Sequence, residues 1–226
     1  MGDFQTLRIE SLGPPGRVVI VAPHPDDEVF ALGGTMTLFE WAGYELEIVA
    51  VTDGEASHAR SNRITPATLR DLREQETVRA YRELGIRPQR LRFGLPDSDV
   101  VSHAEVLRQM LFVRLAGASA VFAPIPTDGH PDHDSVGQAV AEVAEALGVR
   151  CWRYAIWARL HPERIIQEAG VKIRIPPEVL QRKQRAANQY SSQLDALGPD
   201  PEDGPVLPEG FLSYFTETEE PLWLAP

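Results

Sequence analysis

The run Arg17-Val-Val-Ile-Val-Ala22, with the turn Pro23-His-Pro-Asp-Asp-Glu28 behind it, decides how this chain is read. Five consecutive apolar residues, four of them β-branched, fit a strand buried on both faces rather than one with an alternating solvent side. Beyond the turn, Val29, Leu32, Met36 and Phe39 recur at helical spacing, and Gly43 suits a helix C-cap. Leu46-Glu-Ile-Val-Ala-Val-Thr52 reads as a second strand. Residues 17–52 therefore predict strand, helix, strand: a parallel pair joined by a right-handed crossover.

The rhythm continues outward. Thr65-Pro66 opens a helix as N-cap and first helical residue, and the helix runs through Leu69, Leu72, Ala80 and Leu84 to Gly85. Arg90–Phe93 reads as a strand. His103–Ala116 reads as a helix whose inward stripe is expected at Val106, Met110, Val113 and their apolar neighbours. Ser119–Ile125 is the next strand, Ser135–Leu147 an Ala-rich helix ending at Gly148, and Arg150–Trp157 another strand. Strands alternating with helices predict an α/β fold with a mainly parallel sheet. After Leu160 the pattern changes to a strand at Lys172–Ile175, a polar helix over Pro176–Gln193, a loop over Gly198–Gly210 and a last strand at Phe211–Phe215. We expect one domain over 1–226, made of a core over 1–160 and a small closing segment over 161–226 that has too few apolar positions to fold alone.

Composition narrows the function. At 226 residues and 43% hydrophobic, the chain can bury a sizeable core, and wholesale disorder is excluded. Its longest apolar runs are strand-length, far below the ~18 residues of a membrane span. Met1–Gly16 has no apolar stretch of the secretory kind, so a cytoplasmic location is expected. Cys151 is the lone cysteine, which excludes an internal disulfide framework and a cysteine-rich zinc site. The net charge of -11, with 33 acids against 22 bases, argues against a nucleic-acid partner. The basic stretches Arg79–Arg92 and Arg182–Arg185 are interspersed with acidic or apolar residues and read as solvated helix faces.

Two clusters carry the chemistry. One is His24-Pro-Asp26-Asp27-Glu28 after the first strand; the other is Asp128-Gly-His130-Pro-Asp132-His133-Asp134 after the strand ending at Ile125. Open α/β sheets bind ligands beyond the carboxyl ends of their strands, so both clusters are placed to face one crevice. Turn chemistry accounts for any single Asp, but not for three histidines and six acids beside buried strands. Imidazole and carboxylate without thiolate suit zinc or another borderline divalent ion. His24 and Asp27 are three apart, as are His130 and His133; if all four bound, a zinc site would be closed and inert.

These residues resemble the PIG-L/LmbE-like zinc-dependent N-deacetylases, whose HPDD and HPDH motifs are matched at His24–Asp27 and His130–His133. Arg73-Glu-Gln-Glu76 with Ala80 and Leu84-Gly85, then Leu95-Pro-Asp-Ser98, then Lys183 and Tyr190-Ser-Ser-Gln193, are similar to further family segments, so the resemblance covers most of the chain. It implies a Rossmann-like three-layer sandwich and removal of an N-acetyl or other N-acyl group from an amino sugar or its conjugate. It also implies one zinc ion per chain, another divalent metal being the alternative, held by His24, Asp27 and His133. Asp26 would be the general base, His130 would steady the oxyanion or protonate the amine, and Asp132 would tune His130. Arg73 and Asp97 would touch substrate, although Arg73 also has Glu76 within reach along a helix. Some members carry Tyr where this chain has Asp128, which is expected instead to orient His130 or to bind a substrate hydroxyl.

The remaining signals are weaker. His58, His103 and His161 are isolated. Gly33-Gly34 makes no dinucleotide fingerprint, and Ser57 and Ser102 lack the glycines of a nucleophile elbow. Trp152, Tyr154 and Trp157 read as core or as a sugar-stacking rim. Two rival readings are kept: a metal-dependent hydrolase of another bond such as a phosphoester, and a non-catalytic zinc- or sugar-binding module. The clusters hold no basic residue for phosphate, and a binding module has no use for Asp26. Whether the chain forms a homo-oligomer is left open.

Overall fold

In the computed structural model, which describes residues 5–161, 163, 165 and 170–225, eight strands form one sheet. They are β1 (Gln5–Leu7), β2 (Arg17–Ala22), β3 (Glu45–Ala50), β4 (Gln89–Arg92), β5 (Ala120–Pro124), β6 (Cys151–Tyr154), β7 (Gly170–Arg174) and β8 (Glu219–Leu224). Their order is β1-β7-β8-β6-β5-β2-β3-β4. All the pairings are parallel except those of β8, which runs antiparallel between β6 and β7. The α/β class and mainly parallel sheet expected from periodicity are what the chain adopts.

The all-apolar β2 run explains the layering. Val18 and Ile20 face one side, and Val19 and Val21 the other, so each pair enters a separate core. The first core is covered by α1 (Asp27–Trp41), α2 (Pro66–Leu84) and α5 (Pro177–Ala187); the second by α3 (Ala104–Leu115) and α4 (Pro131–Leu147). Because α5 lies over it, α1 is buried nearly all round. That burial encloses a charge. Glu220 of β8 accepts from Lys183 Nζ at 2.6 Å and from the α1 amides of Gly34 and Thr35 at 2.8 and 2.7 Å. A buried ion pair so fully hydrogen-bonded is tolerable in a core.

Several boundaries differ from expectation, each for a physical reason. On α3 the buried stripe is Leu107, Leu111 and Leu115, whereas Val106 and Val113 are 47% and 73% exposed. The helix carries apolar residues on most faces, so spacing alone offers two stripes and does not choose between them. Helix α4 starts at Pro131 rather than Ser135, with Pro at its first position and His130 as N-cap. The second cluster is therefore the first turn of a helix. The helix expected over Pro176–Gln193 breaks after Ala187 and resumes as α6 (Ser191–Leu194). Phe211–Tyr214 is a 3-10 turn, not a strand; the last strand is β8, disguised by Pro221. Beyond residue 161, the chain adds β7 and β8 to the common sheet and Ile173, Val179, Tyr190, Phe211 and Leu222 to the first core.

Candidate metal centre

β2 pairs with β3 on one side and with β5 on the other, and the chain leaves β2 towards β3 before returning to β5. Where connections diverge like this, a crevice opens beyond the carboxyl ends of the strands. His24–Asp27 enters it from β2 and Asp128–His133 from β5. The cleft measures about 260 Å³. Its polar lining includes Ser57, Arg73, Asp97 and Ser98, and its apolar lining Phe30, Ile156, Trp157, Val206, Leu207 and Phe211.

At its floor three atoms converge. His24 Nδ1 lies 3.1 Å from His133 Nε2 and 3.5 Å from Asp27 Oδ2, and His133 Nε2 lies 3.3 Å from that same oxygen. The opposite nitrogen of each ring faces a carboxylate. His24 Nε2 lies 3.1 Å from Asp132 Oδ2 and 3.2 Å from Asp97 Oδ1, and His133 Nδ1 lies 2.8 Å from Asp128 Oδ2. Carboxylates only accept, so these outer nitrogens carry protons, and with a metal between the rings and Asp27 the inner ones would present lone pairs to it. Two lone pairs and a carboxylate oxygen at such range repel unless a cation lies between them. Ligands on a tetrahedral ion at ~2.0–2.1 Å are ~3.3–3.4 Å apart, which matches this triangle. His24, Asp27 and His133 thus fit a divalent metal.

The electrostatics agree. Burial disfavours a charged His24, but hydrogen bonds to Asp132, Asp27 and Asp97 outweigh it and push the pKa well up: the site calls for positive charge. Burial also opposes ionisation of Asp27, yet His133 and His24 prevail and hold its carboxyl at about 2. Burial and the neighbouring His24 and His133 bring His130 down to about 4. His130 Nδ1 accepts from the Asp132 amide at 3.2 Å, which leaves the proton of the neutral ring on Nε2. His130 lines the cleft, with Trp157 stacked nearly parallel to it at 6.4 Å between centroids.

Asp26 borders the cleft beside Asp27. Its backbone φ of 136° is a conformation that residues with a side chain rarely adopt. Arg73 secures it: Nη2 donates to Asp26 Oδ2 at 2.9 Å and to the Pro25 carbonyl at 2.8 Å, and Nη1 donates to the Gly54 carbonyl at 3.1 Å. Gly54 is required there, because a Cβ would lie 2.0 Å from Arg73 Nη1. Arg73 makes no pair with Glu76, which instead accepts from Ser191 and Ser192 of α6.

Asp132 bears on His130 through its charge, which opposes the lowering of the His130 pKa, while its carboxylate also holds His24 and accepts from the Ser98 and Val100 amides. One expected role is corrected. Asp128 is fully buried and outside the cleft, so it binds no substrate hydroxyl; it contacts His133 rather than His130. Asp97 lines the cleft as expected, but one of its oxygens is on His24 and the other accepts from the Ala56 amide at 2.8 Å. Trp152 and Tyr154 are core, while Trp157 reaches the cleft. Gln193, Val206, Leu207 and Phe211 were not expected there; Tyr190-Ser-Ser-Gln193 was the one sequence signal that pointed to this part of the chain.

Residues 19–144 match the family model of the GlcNAc-PI de-N-acetylases, PIG-L. The chain belongs to this family. Among PIG-L relatives, the "Probable N-acetyl-alpha-D-glucosaminyl L-malate deacetylase 2" of Bacillus anthracis is 31% identical over 220 residues, covering 92% of this chain and 95% of the relative. Diacetylchitobiose deacetylase of Thermococcus kodakarensis is 28% identical over 191 residues, 79% of this chain and 70% of that one. In fold, the solved A40926 pseudoaglycone deacetylase superposes with a TM-score of 0.69 at 19% identity, covering 92% of this chain and 96% of its own. PIG-L membership makes this chain an N-deacetylase. No helix among the described residues is long and apolar enough to cross a membrane.

Proposed function

We propose that this PIG-L protein is a zinc-dependent deacetylase that hydrolyses the N-acetyl amide of an amino-sugar conjugate in the cytoplasm. The observation that carries the reading is the triangle of His24 Nδ1, His133 Nε2 and Asp27 Oδ2, its two imidazoles held from behind by other carboxylates, with Asp26 and His130 flanking it in one cleft. Held by His24, Asp27 and His133, a zinc ion would supply Lewis acidity to the scissile carbonyl and to water. Asp26 takes the proton of the attacking water, its carboxylate fixed by Arg73. His130 donates a hydrogen bond from Nε2–H to the carbonyl oxygen as charge builds there, and the proton taken by Asp26 passes to the leaving amine as the C–N bond breaks. The cleft is at the small end of ligand pockets, which suits one sugar unit, with the aromatic Trp157–Phe211 wall beside it. The free, buried Cys151 is in keeping with a reducing compartment.

The test measures bound zinc together with acetate release from a panel of N-acetylated amino sugars. Asp27→Ala is expected to lose zinc. Asp26→Asn is expected to keep zinc and lose about 10²–10⁴ in turnover, the share of a general base. Loss of metal in Asp26→Asn, or full activity with metal bound, would refute the assignment.

A further inference from the structure

Asp128 cannot reach a substrate, yet its carboxylate makes four hydrogen bonds. Oδ2 accepts from His133 Nδ1 at 2.8 Å and from the Trp157 amide at 3.0 Å. Oδ1 accepts from the Ile156 amide at 2.9 Å and the Ala158 amide at 3.1 Å. One side chain thus grips a proposed metal ligand from behind, together with three consecutive amides of the turn that presents Ile156 and Trp157 to the cleft. The amides cannot rotate away, and the His133 ring is itself fully buried.

We propose that Asp128 is a double positioning residue: it keeps His133 in the tautomer whose Nε2 lone pair faces the metal, and it anchors the Ile156–Trp157 wall of the substrate cleft. The inference rests on His133 being a metal ligand, as proposed above. Its chemistry is one of proton placement. A carboxylate offers acceptors only, so the ring proton must stand on Nδ1. An asparagine at 128 presents acceptor and donor at opposite ends. With its oxygen turned to the Ile156 and Ala158 amides, its amino group faces His133 Nδ1. That nitrogen must then accept, which transfers the ring proton to Nε2, the atom that faces the metal.

Asp128→Asn is therefore expected to bind zinc 10- to 100-fold more weakly in competition with a chromophoric chelator, the usual cost of losing a partner behind a metal-bound imidazole. It is also expected to show a raised KM for the best N-acetylated sugar. In the zinc-loaded wild type, ¹⁵N NMR should find the His133 proton on Nδ1. A folded Asp128→Asn protein with zinc affinity within about threefold of wild type would overturn the metal half of the proposal, and an unchanged KM the wall half. If the variant fails to fold, the wild-type spectrum decides, since zinc on His133 Nδ1 overturns the assignment by itself. His133→Ala separates this inference from its premise. Undiminished zinc affinity in that variant defeats the ligand set, whereas zinc lost there but kept in Asp128→Asn defeats only the role of Asp128.

Discussion

Arg73→Ala is expected to act on turnover more than on substrate affinity, the reverse of what a substrate contact would do. The buried guanidinium donates to Asp26 Oδ2, the Pro25 carbonyl and the Gly54 carbonyl. Its removal leaves three buried acceptors short of a donor, at about 1–3 kcal/mol each where water cannot substitute. Because the cleft admits water on one side, we expect a stability loss of about 2–4 kcal/mol in total. The catalytic effect follows from geometry: a base displaced by about 1 Å costs roughly 10² in rate, so kcat should fall about 100-fold while KM changes less than about threefold. Gly54→Ala provides an independent route to the same state. Its φ of +67° disfavours a side chain, and the added Cβ would meet Arg73 Nη1 at 2.0 Å, displacing the guanidinium without deleting its charge. Steady-state acetate release and thermal unfolding of both variants make the test. A tenfold rise in KM with kcat intact would refute the reasoning and return Arg73 to the substrate-binding role that the family resemblance implies.

Two further outcomes concern stability. Burial raises the Cys151 thiol from its ordinary 9.0 to about 11. Its contribution is complete below pH 9 and is lost as pH rises to 11, so urea unfolding should show wild type losing about 2–3 kcal/mol more than Cys151→Ala across that window; equal losses would refute it. Gly137→Ala should destabilise although Ala is the better helix former by ~1 kcal/mol, because the new Cβ would lie 2.5 Å from the Pro124 carbonyl oxygen and 3.0 Å from Pro126 N. Backbone cannot yield as a side chain can, so a net loss of about 1–3 kcal/mol and a lower Tm are expected, and a higher Tm would contradict this close approach of α4 to β5.

The fold was legible where one signal had one meaning. The β-branched run of β2, the Thr65-Pro66 start of α2 and the glycines at 85 and 148 each had a single physical reading, and each is realised. Legibility failed where the chain offered two equal choices, as on α3, or where a long-range contact overrode a local rule, as at Pro221 in β8. At the site, residue types and spacing brought out His24, Asp27, His130 and His133 as candidate ligands, and the family resemblance picked His24, Asp27 and His133 among them. They did not reveal which carboxylate stands behind which ring, because Asp97 follows β4 while Asp128 and Asp132 stand at the β5–α4 junction, and their meeting depends on sheet order. The cleft wall contributed by Gln193, Val206, Leu207 and Phe211 was hidden for the same reason.

Asp26 and Asp27 show how a short turn supplies two different functions from one residue type. In ordinary backbone, neighbouring carboxylates of equal chemistry would compete for the same charge. Here the positive φ of Asp26 turns the chain just before α1 begins, and the two carboxylates meet different partners. Asp27 Oδ2 accepts from the His24 amide at 2.9 Å and lies against two imidazoles, which keep it ionised despite its burial. Asp26 is raised well above an ordinary carboxylate by burial, with Arg73 opposing and Asp27 reinforcing the shift. A metal ligand has to stay ionised, whereas a general base has to gain and return a proton. Carboxylates driven in opposite directions by their surroundings are the physical mark of that division of labour. The opposite directions of the two shifts support the proposed division, ligation by Asp27 and proton transfer by Asp26.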